Sequence, residues 1–133
     1  MRRRHERGAT IAEAAVTALT LFILILGVVD LGRAYSMYQN LTNAAREGAR
    51  FAVAPDPTTQ VLPSPSEVQS YVTPLLSSLN VSGTVSVTTT SHVINGITTT
   101  YTKVTITVPY QLLFFSFGTV NITSNSEMRN ETN

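Results

Sequence analysis

The stretch ATIAEAAVTALTLFILILGVVDLGRAY, residues 9–35, decides how the rest of the chain is read. Between Glu13 and Asp30 lie 16 uncharged residues, mostly Leu, Ile, Val and Ala. As a helix they span roughly 24 Å, short of a hydrocarbon core roughly 30 Å thick. A full crossing therefore covers residues 11–31, with Glu13 at one membrane edge and Asp30 at the other. A buried core helix is the alternative for so apolar a segment. The chain has only 133 residues, too few beyond the helix to surround it, which favours a single membrane anchor.

On the N-terminal side, residues 1–8 read MRRRHERG. Four of the nine basic residues, Arg2, Arg3, Arg4 and Arg7, crowd this flank. The positive-inside tendency places such a flank in the cytoplasm and the C-terminal part outside it. A cleaved secretory signal ends in small residues after its apolar run. Asp30-Leu31-Gly32-Arg33 fits that poorly, so the anchor is expected to remain attached. A different pattern precedes the run. Gly8, four residues and then Glu13 on the lip of an apolar helix resemble a type IV prepilin processing site. That resemblance implies a cut between Gly8 and Ala9, on the cytoplasmic side. An isolated carboxylate at the membrane edge is costly, and a new amine on Ala9 would compensate it. Residues four apart are helical neighbours, so the amine could act within the chain; in a filament it could belong to the next subunit. A Glu13 that merely snorkels to the interface is the other reading.

On the C-terminal side, Leu31, Tyr35, Tyr38, Leu41, Ala45, Ala49 and Ala52 recur at three- and four-residue steps. This predicts an amphipathic continuation of the same helix, halted by Pro55 and Pro57. From Ile11 to Val53 such a helix is about 64 Å long. Its first half lies in lipid, and its second half offers a stripe to the head or to sister subunits.

The run GVVDLGRAYSMYQNLTNAAREGARFAV resembles the TadE/TadG-like family, minor pseudopilins of the tight-adherence pilus. Asp30, Gly32 and Arg33 carry the resemblance, with the aromatic turn after them and Ala45, Arg46, Glu47, Gly48 and Arg50. Gly8 and Glu13 also match. The likeness covers residues 7–54 closely, and Glu127-Met128-Arg129 fits it weakly. It implies processing by a prepilin peptidase and assembly with other pilin or pseudopilin subunits on a pilus assembly platform. The same residues have plainer readings. Arg46, Glu47 and Arg50 suit a solvated face with close ion pairs, worth a few tenths of a kcal/mol. Gly48 costs about 1 kcal/mol relative to Ala in mid-helix; it either admits a close neighbour or loosens the helix end. Tyr35 and Tyr38 suit interfacial anchoring and packing better than a ligand box.

Residues 54–133 form the expected extracytoplasmic head. Residues 54–65, rich in Pro and Thr, read as a linker or loop. Ser64, Pro65 and Glu67 supply an N-cap, a first-turn proline and a capping-box acid. Val68, Tyr71, Val72, Leu75, Leu76 and Leu79 make one apolar stripe, which Pro74 is expected to kink or divide. From Gly83 the period becomes two. Asn95-Gly96 signals a hairpin that pairs Val87 with Val104 and Val85 with Ile106. Tyr110–Phe117 reads as a Phe-rich crossover, and 118–126 as a third strand. The expected fold is α+β: a long N-terminal helix (9–53) after a basic leader (1–8), then a head of one short helix and a three-stranded antiparallel sheet. The outline is pilin-like.

Composition narrows the chemistry. The net charge is +1, Lys103 is the single lysine, and there is no cysteine. A basic face interleaved with aromatics, which nucleic acid would need, is missing. Thiolate zinc sites, disulfides and thiol nucleophiles are excluded. His5 and His92 are far apart in sequence and make a poor metal pair. Asp56 has no partner carboxylate, and no phosphate loop or nucleophile elbow occurs. The expectation is a protein without catalytic, cofactor or small-molecule site. Its partners would be membrane lipid, the peptidase and other subunits in the bacterial cytoplasmic membrane. The alternative is an uncleaved, permanently anchored binding or scaffold protein.

Overall fold

The computed structural model describes residues 2–94, 96–114 and 118–130, with side chains from Gly8 onward except that of Ile94. One helix, α1 (Arg2–Val53), comes first. It is followed by α2 (Pro65–Ser78), β1 (Thr84–Ile94), β2 (Ile97–Gln111) and β3 (Thr119–Arg129). The fold is α+β, with the three strands in the antiparallel order β1-β2-β3.

The two halves of α1 have different surroundings. Residues 8–25 are exposed throughout. This half holds an 18-residue window of mean hydropathy 2.4, long and apolar enough to cross a membrane, of which 6% is buried. From Leu41 onward α1 becomes the floor of the head. Leu41, Ala44, Ala45, Ala49 and Ala52 are five of the eleven buried residues in the main core cluster. Val68, Val72 and Leu76 come from α2, and Val104, Ile106 and Val108 from β2. Burying a Val or Leu side chain fully is worth about 1.5–3 kcal/mol, so a head deprived of α1 would lose much of its driving force.

Helix ends follow local chemistry. Pro55 and Pro57 end α1, but the segment after it is a tied turn, not a loose linker. Asp56 accepts the N–H groups of Thr58 and Thr59 at 2.8 Å, and its own N–H donates to the Val61 carbonyl at 3.0 Å. Ser64 caps α2, with its N–H donating to Glu67 Oε2 at 2.7 Å and Pro65 at the first position. Pro74 does not divide α2, which runs unbroken to Ser78. Its ring is exposed, so it avoids the packed face that Val68, Val72 and Leu76 form.

The hairpin register is Val87↔Val104 and Val85↔Ile106, as the alternation predicts. Gly96 takes φ +78° at the turn, a conformation L side chains resist; Asn95 lies outside the described residues. β2 extends further than the alternation implies: Tyr110 is still paired, with Val120 of β3, rather than in the crossover. Pro109 is tolerated in this central strand because β1 pairing has already ended at Thr84↔Thr107.

Candidate assembly site on the long helix

The residues singled out by sequence lie along α1, and the structure sorts them by environment. Gly8, Ala9 and Glu13 are exposed on the uncovered half. Ala9 and Glu13 are one turn apart on one face, and Thr17 Oγ1 donates to the Glu13 carbonyl at 2.9 Å. The side chains of the basic leader and of His5 lie outside the described residues.

Asp30 is 2% exposed, an unusual state for a carboxylate. Its Oδ1 accepts the N–H of Leu113 at 3.0 Å, and its Oδ2 accepts the N–H of Phe114 at 3.0 Å. Arg33, one turn on, places Nη1 3.9 Å from Oδ1 and keeps its own side chain half exposed. A bidentate carboxylate facing two consecutive backbone donors fixes Leu113 and Phe114, which follow β2, to the end of the apolar segment. The acid-x-Gly-Arg step is therefore a clasp between anchor and head. Gly32 within it is open: among the described residues, no atom beyond its own stretch of helix lies within 4 Å of where a Cβ would stand.

The second signature cluster packs against the head. Ala45 is fully buried. A Cβ on Gly48 would meet Val72 Cγ2 at 2.6 Å and Val104 Cγ1 at 3.4 Å, so this glycine admits α2 and β2 to the helix backbone. Glu47 accepts the Tyr71 hydroxyl at 3.1 Å, which raises the Tyr71 pKa above its ordinary value. The Tyr71 ring stacks on Phe51, with centroids 4.3 Å apart and planes 6° from parallel. Arg46 and Arg50 face solvent.

The amphipathic stripe divides. Its later members, from Leu41 on, are buried, but Leu31, Tyr35 and Tyr38 are 70%, 62% and 44% exposed. The head docks one residue out of phase with them, on the face of Asp30, Ala34, Met37 and Leu41. A polar clasp at Asp30, invisible to a count of apolar residues, sets that phase.

The structure also brings together residues that sequence reasoning left apart. Thr42 and Ser124 hydroxyls lie 3.0 Å apart and tie α1 to β3. Thr102 donates to Asn130 Oδ1 at 2.9 Å in a buried bond. Neither carries a local sequence signal. The Phe-rich turn did, as an apolar run inside a Ser/Thr-rich sheet.

A groove of about 550 Å³ lies beside the α1–α2 turn and includes Phe51, Pro63, Asp56 and Glu67 in its lining. Its two acids are occupied structurally. The Thr59 and Thr58 amides hold Asp56 below the ordinary carboxylate pKa, and the Ser64 hydroxyl and amide do so for Glu67. Anions stabilised in this way are poor proton donors at neutral pH. His92 sits on the exposed hairpin, edge-on to Tyr101 at 5.8 Å.

Acid-x-Gly-Arg and the Ala-Arg-Glu-Gly cluster thus occupy one continuous helix. Residues 8–50 match the family model for TadE-like protein. That is 43 of 133 residues, about a third of the chain. No curated protein and no solved structure matches it. The TadE-like segment lies wholly on α1 and ends three residues before the helix does. It includes the exposed apolar half, the Asp30 clasp and the Gly48 contact, while the rest of the head lies outside it.

Proposed function

We propose that this chain is a TadE-like minor pseudopilin that acts in assembly of a tight-adherence pilus. In this reading α1 crosses the bacterial inner membrane over residues 11–31, with the N-terminus cytoplasmic and the head outside. A prepilin peptidase cuts after Gly8, and Glu13 then docks against the new amine of its own or a neighbouring subunit. The role is structural rather than catalytic, and the partners are lipid, the peptidase, sister subunits and the assembly platform.

One observation carries the reading. The TadE-like segment is a single helix whose residues 8–25 are exposed throughout, while its C-terminal half builds the head core. A helix with that division is suited to lie in lipid or against other helices and to carry a domain on its far end. Gly8 also lowers local helix stability by about 1 kcal/mol relative to Ala, which eases the unwinding a peptidase needs.

The test is the mass of the N-terminal peptide after expression with and without a prepilin peptidase. A chain beginning at Ala9 only when the peptidase is present is the expected result. A chain that keeps Arg2–Gly8 in both cells overturns processing and leaves a permanently anchored scaffold. Glu13→Ala is expected to leave cleavage intact and to lower incorporation into pili or assembly complexes.

A further inference from the structure

Among the described residues of the head, Leu113 and Phe114 are held at the end of the apolar segment of α1. Two 3.0 Å bonds from their N–H groups to Asp30 fix their height along the helix. Asp30 follows directly on the 16 uncharged residues, so Leu113 and Phe114 stand at the edge of a hydrocarbon layer that residues 11–31 cross. Leu113 is 59% exposed and Phe114 45%, although both are large and apolar. No charged residue occurs between Lys103 and Glu127, so no charge on this hairpin opposes entry into lipid. Burial on α1 also begins below the clasp. Leu26 and Gly27, one turn nearer the N-terminus, are half-buried, whereas every residue from 8 to 25 is exposed.

We propose that Leu113 and Phe114, which follow β2, form a second membrane contact and enter the outer leaflet beside α1. The occupant of this exposed apolar pair is lipid, because the pair is clasped to the anchoring helix where its apolar segment ends. The inference rests on α1 being membrane-embedded. Asp30 then has a defined task. It satisfies two backbone donors that would otherwise enter a poorly hydrated layer unpaired, where each would be costly. The head is consequently seated on the bilayer by two points rather than hinged on one.

The chain has no tryptophan, so single-Trp variants report depth without background. Full-length Phe114→Trp is reconstituted in vesicles of phosphatidylethanolamine and phosphatidylglycerol, with and without lipids brominated on the acyl chains. Val28→Trp, in the exposed apolar half, marks embedded emission; Val93→Trp, on the exposed hairpin, marks aqueous emission. Phe114→Trp is expected to emit to the blue of Val93→Trp, to lose most of its emission to brominated lipid, and to resist aqueous iodide. This should persist as lipid is added in excess. Emission that iodide quenches as readily as that of Val93→Trp overturns the inference. So does protection that brominated lipid does not affect and that lipid dilution abolishes, the result a second copy of the chain would give. If Val28→Trp also escapes brominated lipid, the anchor reading falls and takes this inference with it. If only Phe114→Trp escapes, the anchor stands and the second contact does not. Should Phe114→Trp fail to fold by circular dichroism, Leu113→Trp carries the same comparison.

Discussion

Gly48 of α1 and Val72 of α2 approach so closely that a Cβ on Gly48 would stand 2.6 Å from Val72 Cγ2. Ordinary helix propensity favours Gly48→Ala by about 1 kcal/mol. Overpacking of a filled core costs about 1–3 kcal/mol, and Val104 on the other side limits escape. The net expectation is a loss of stability, read by denaturant unfolding of the full chain in detergent. Val72→Ala in the Gly48→Ala background should recover part of it, a coupling that a double-mutant cycle isolates. Gly32→Ala is the contrast. Among the described residues nothing beyond its own stretch of helix stands within 4 Å of its Cβ position, so it should stabilise the isolated chain. If both glycine variants shift the midpoint the same way, the close-approach account is wrong.

The Asp30 clasp predicts a local effect at the residues that follow β2. Asp30→Ala leaves the N–H groups of Leu113 and Phe114 without their acceptors. An unsatisfied buried donor costs about 1–3 kcal/mol, so the turn should open rather than bear two of them. Hydrogen exchange at those two amides should accelerate strongly, while amides of the Val87–Val104 register change little. Asp30→Asn retains one carbonyl acceptor but turns an NH₂ toward the other donor, so it should fall between wild type and Asp30→Ala. Unchanged exchange in Asp30→Ala would remove the clasp from the account.

These two contacts also mark what local sequence pattern discloses. Val85 and Val87 alternate with Ser and Thr, and the Asn-Gly dipeptide is a hairpin signal in the sequence, so the pairs with Ile106 and Val104 follow from short-range rules. Ser64, Pro65 and Glu67 define the start of α2 because a cap is a local hydrogen-bonding device. The length and hydropathy of α1 are equally local. Asp30 meeting Leu113 is not, since 83 positions separate them and no period links an acid to two backbone amides. That missing link explains the misplaced phase of Leu31, Tyr35 and Tyr38. Gly48 was legible as a glycine with a purpose, but whether that purpose was a neighbour or a loose end required Val72 on the other side. The extension of β2 through Tyr110 depended on β3, whose apolar positions are too sparse to announce its full length.

Acid sensitivity of the head follows from Glu67 and Asp56. Hydrogen bonds hold both carboxylates below their ordinary values of 4.5 and 3.8. A depressed folded pKa gives stability that is complete above the unfolded value and is lost as pH falls through the folded one. The unfolding midpoint should therefore be flat from neutral pH to the ordinary carboxylate range and then decline. Glu67→Gln keeps an acceptor for the Ser64 N–H, since Gln also closes a capping box, but it removes one titrating group. Its acid decline should be shallower than that of wild type. Glu67→Ala should lower the midpoint at neutral pH as well. A Glu67→Gln curve that parallels wild type through the acid limb would assign the decline to other groups.

The exposed stripe Leu31, Tyr35 and Tyr38 gives the most direct test of assembly. The head covers the adjacent face of α1 and leaves these three side chains 70%, 62% and 44% exposed. Gln39 Nε2 donates to the Tyr35 hydroxyl at 2.6 Å, which holds that ring on the stripe and leaves its apolar body outward. Apolar surface at the end of the apolar segment suits a neighbouring helix better than water. The chain contains no cysteine, so Tyr35→Cys and Tyr38→Cys supply single reactive sites. In membranes that also contain the pilus machinery, oxidation should yield disulfide-linked products from both, at levels well above Val93→Cys on the hairpin. The paired change Tyr35→Ser with Tyr38→Ser should leave unfolding within about 0.5 kcal/mol of wild type, as exposed substitutions do. It should nonetheless reduce recovery of the chain in assembled complexes. Cross-linking no greater than from Val93→Cys, together with normal recovery of the serine variant, would mean that this face of the helix meets no other subunit.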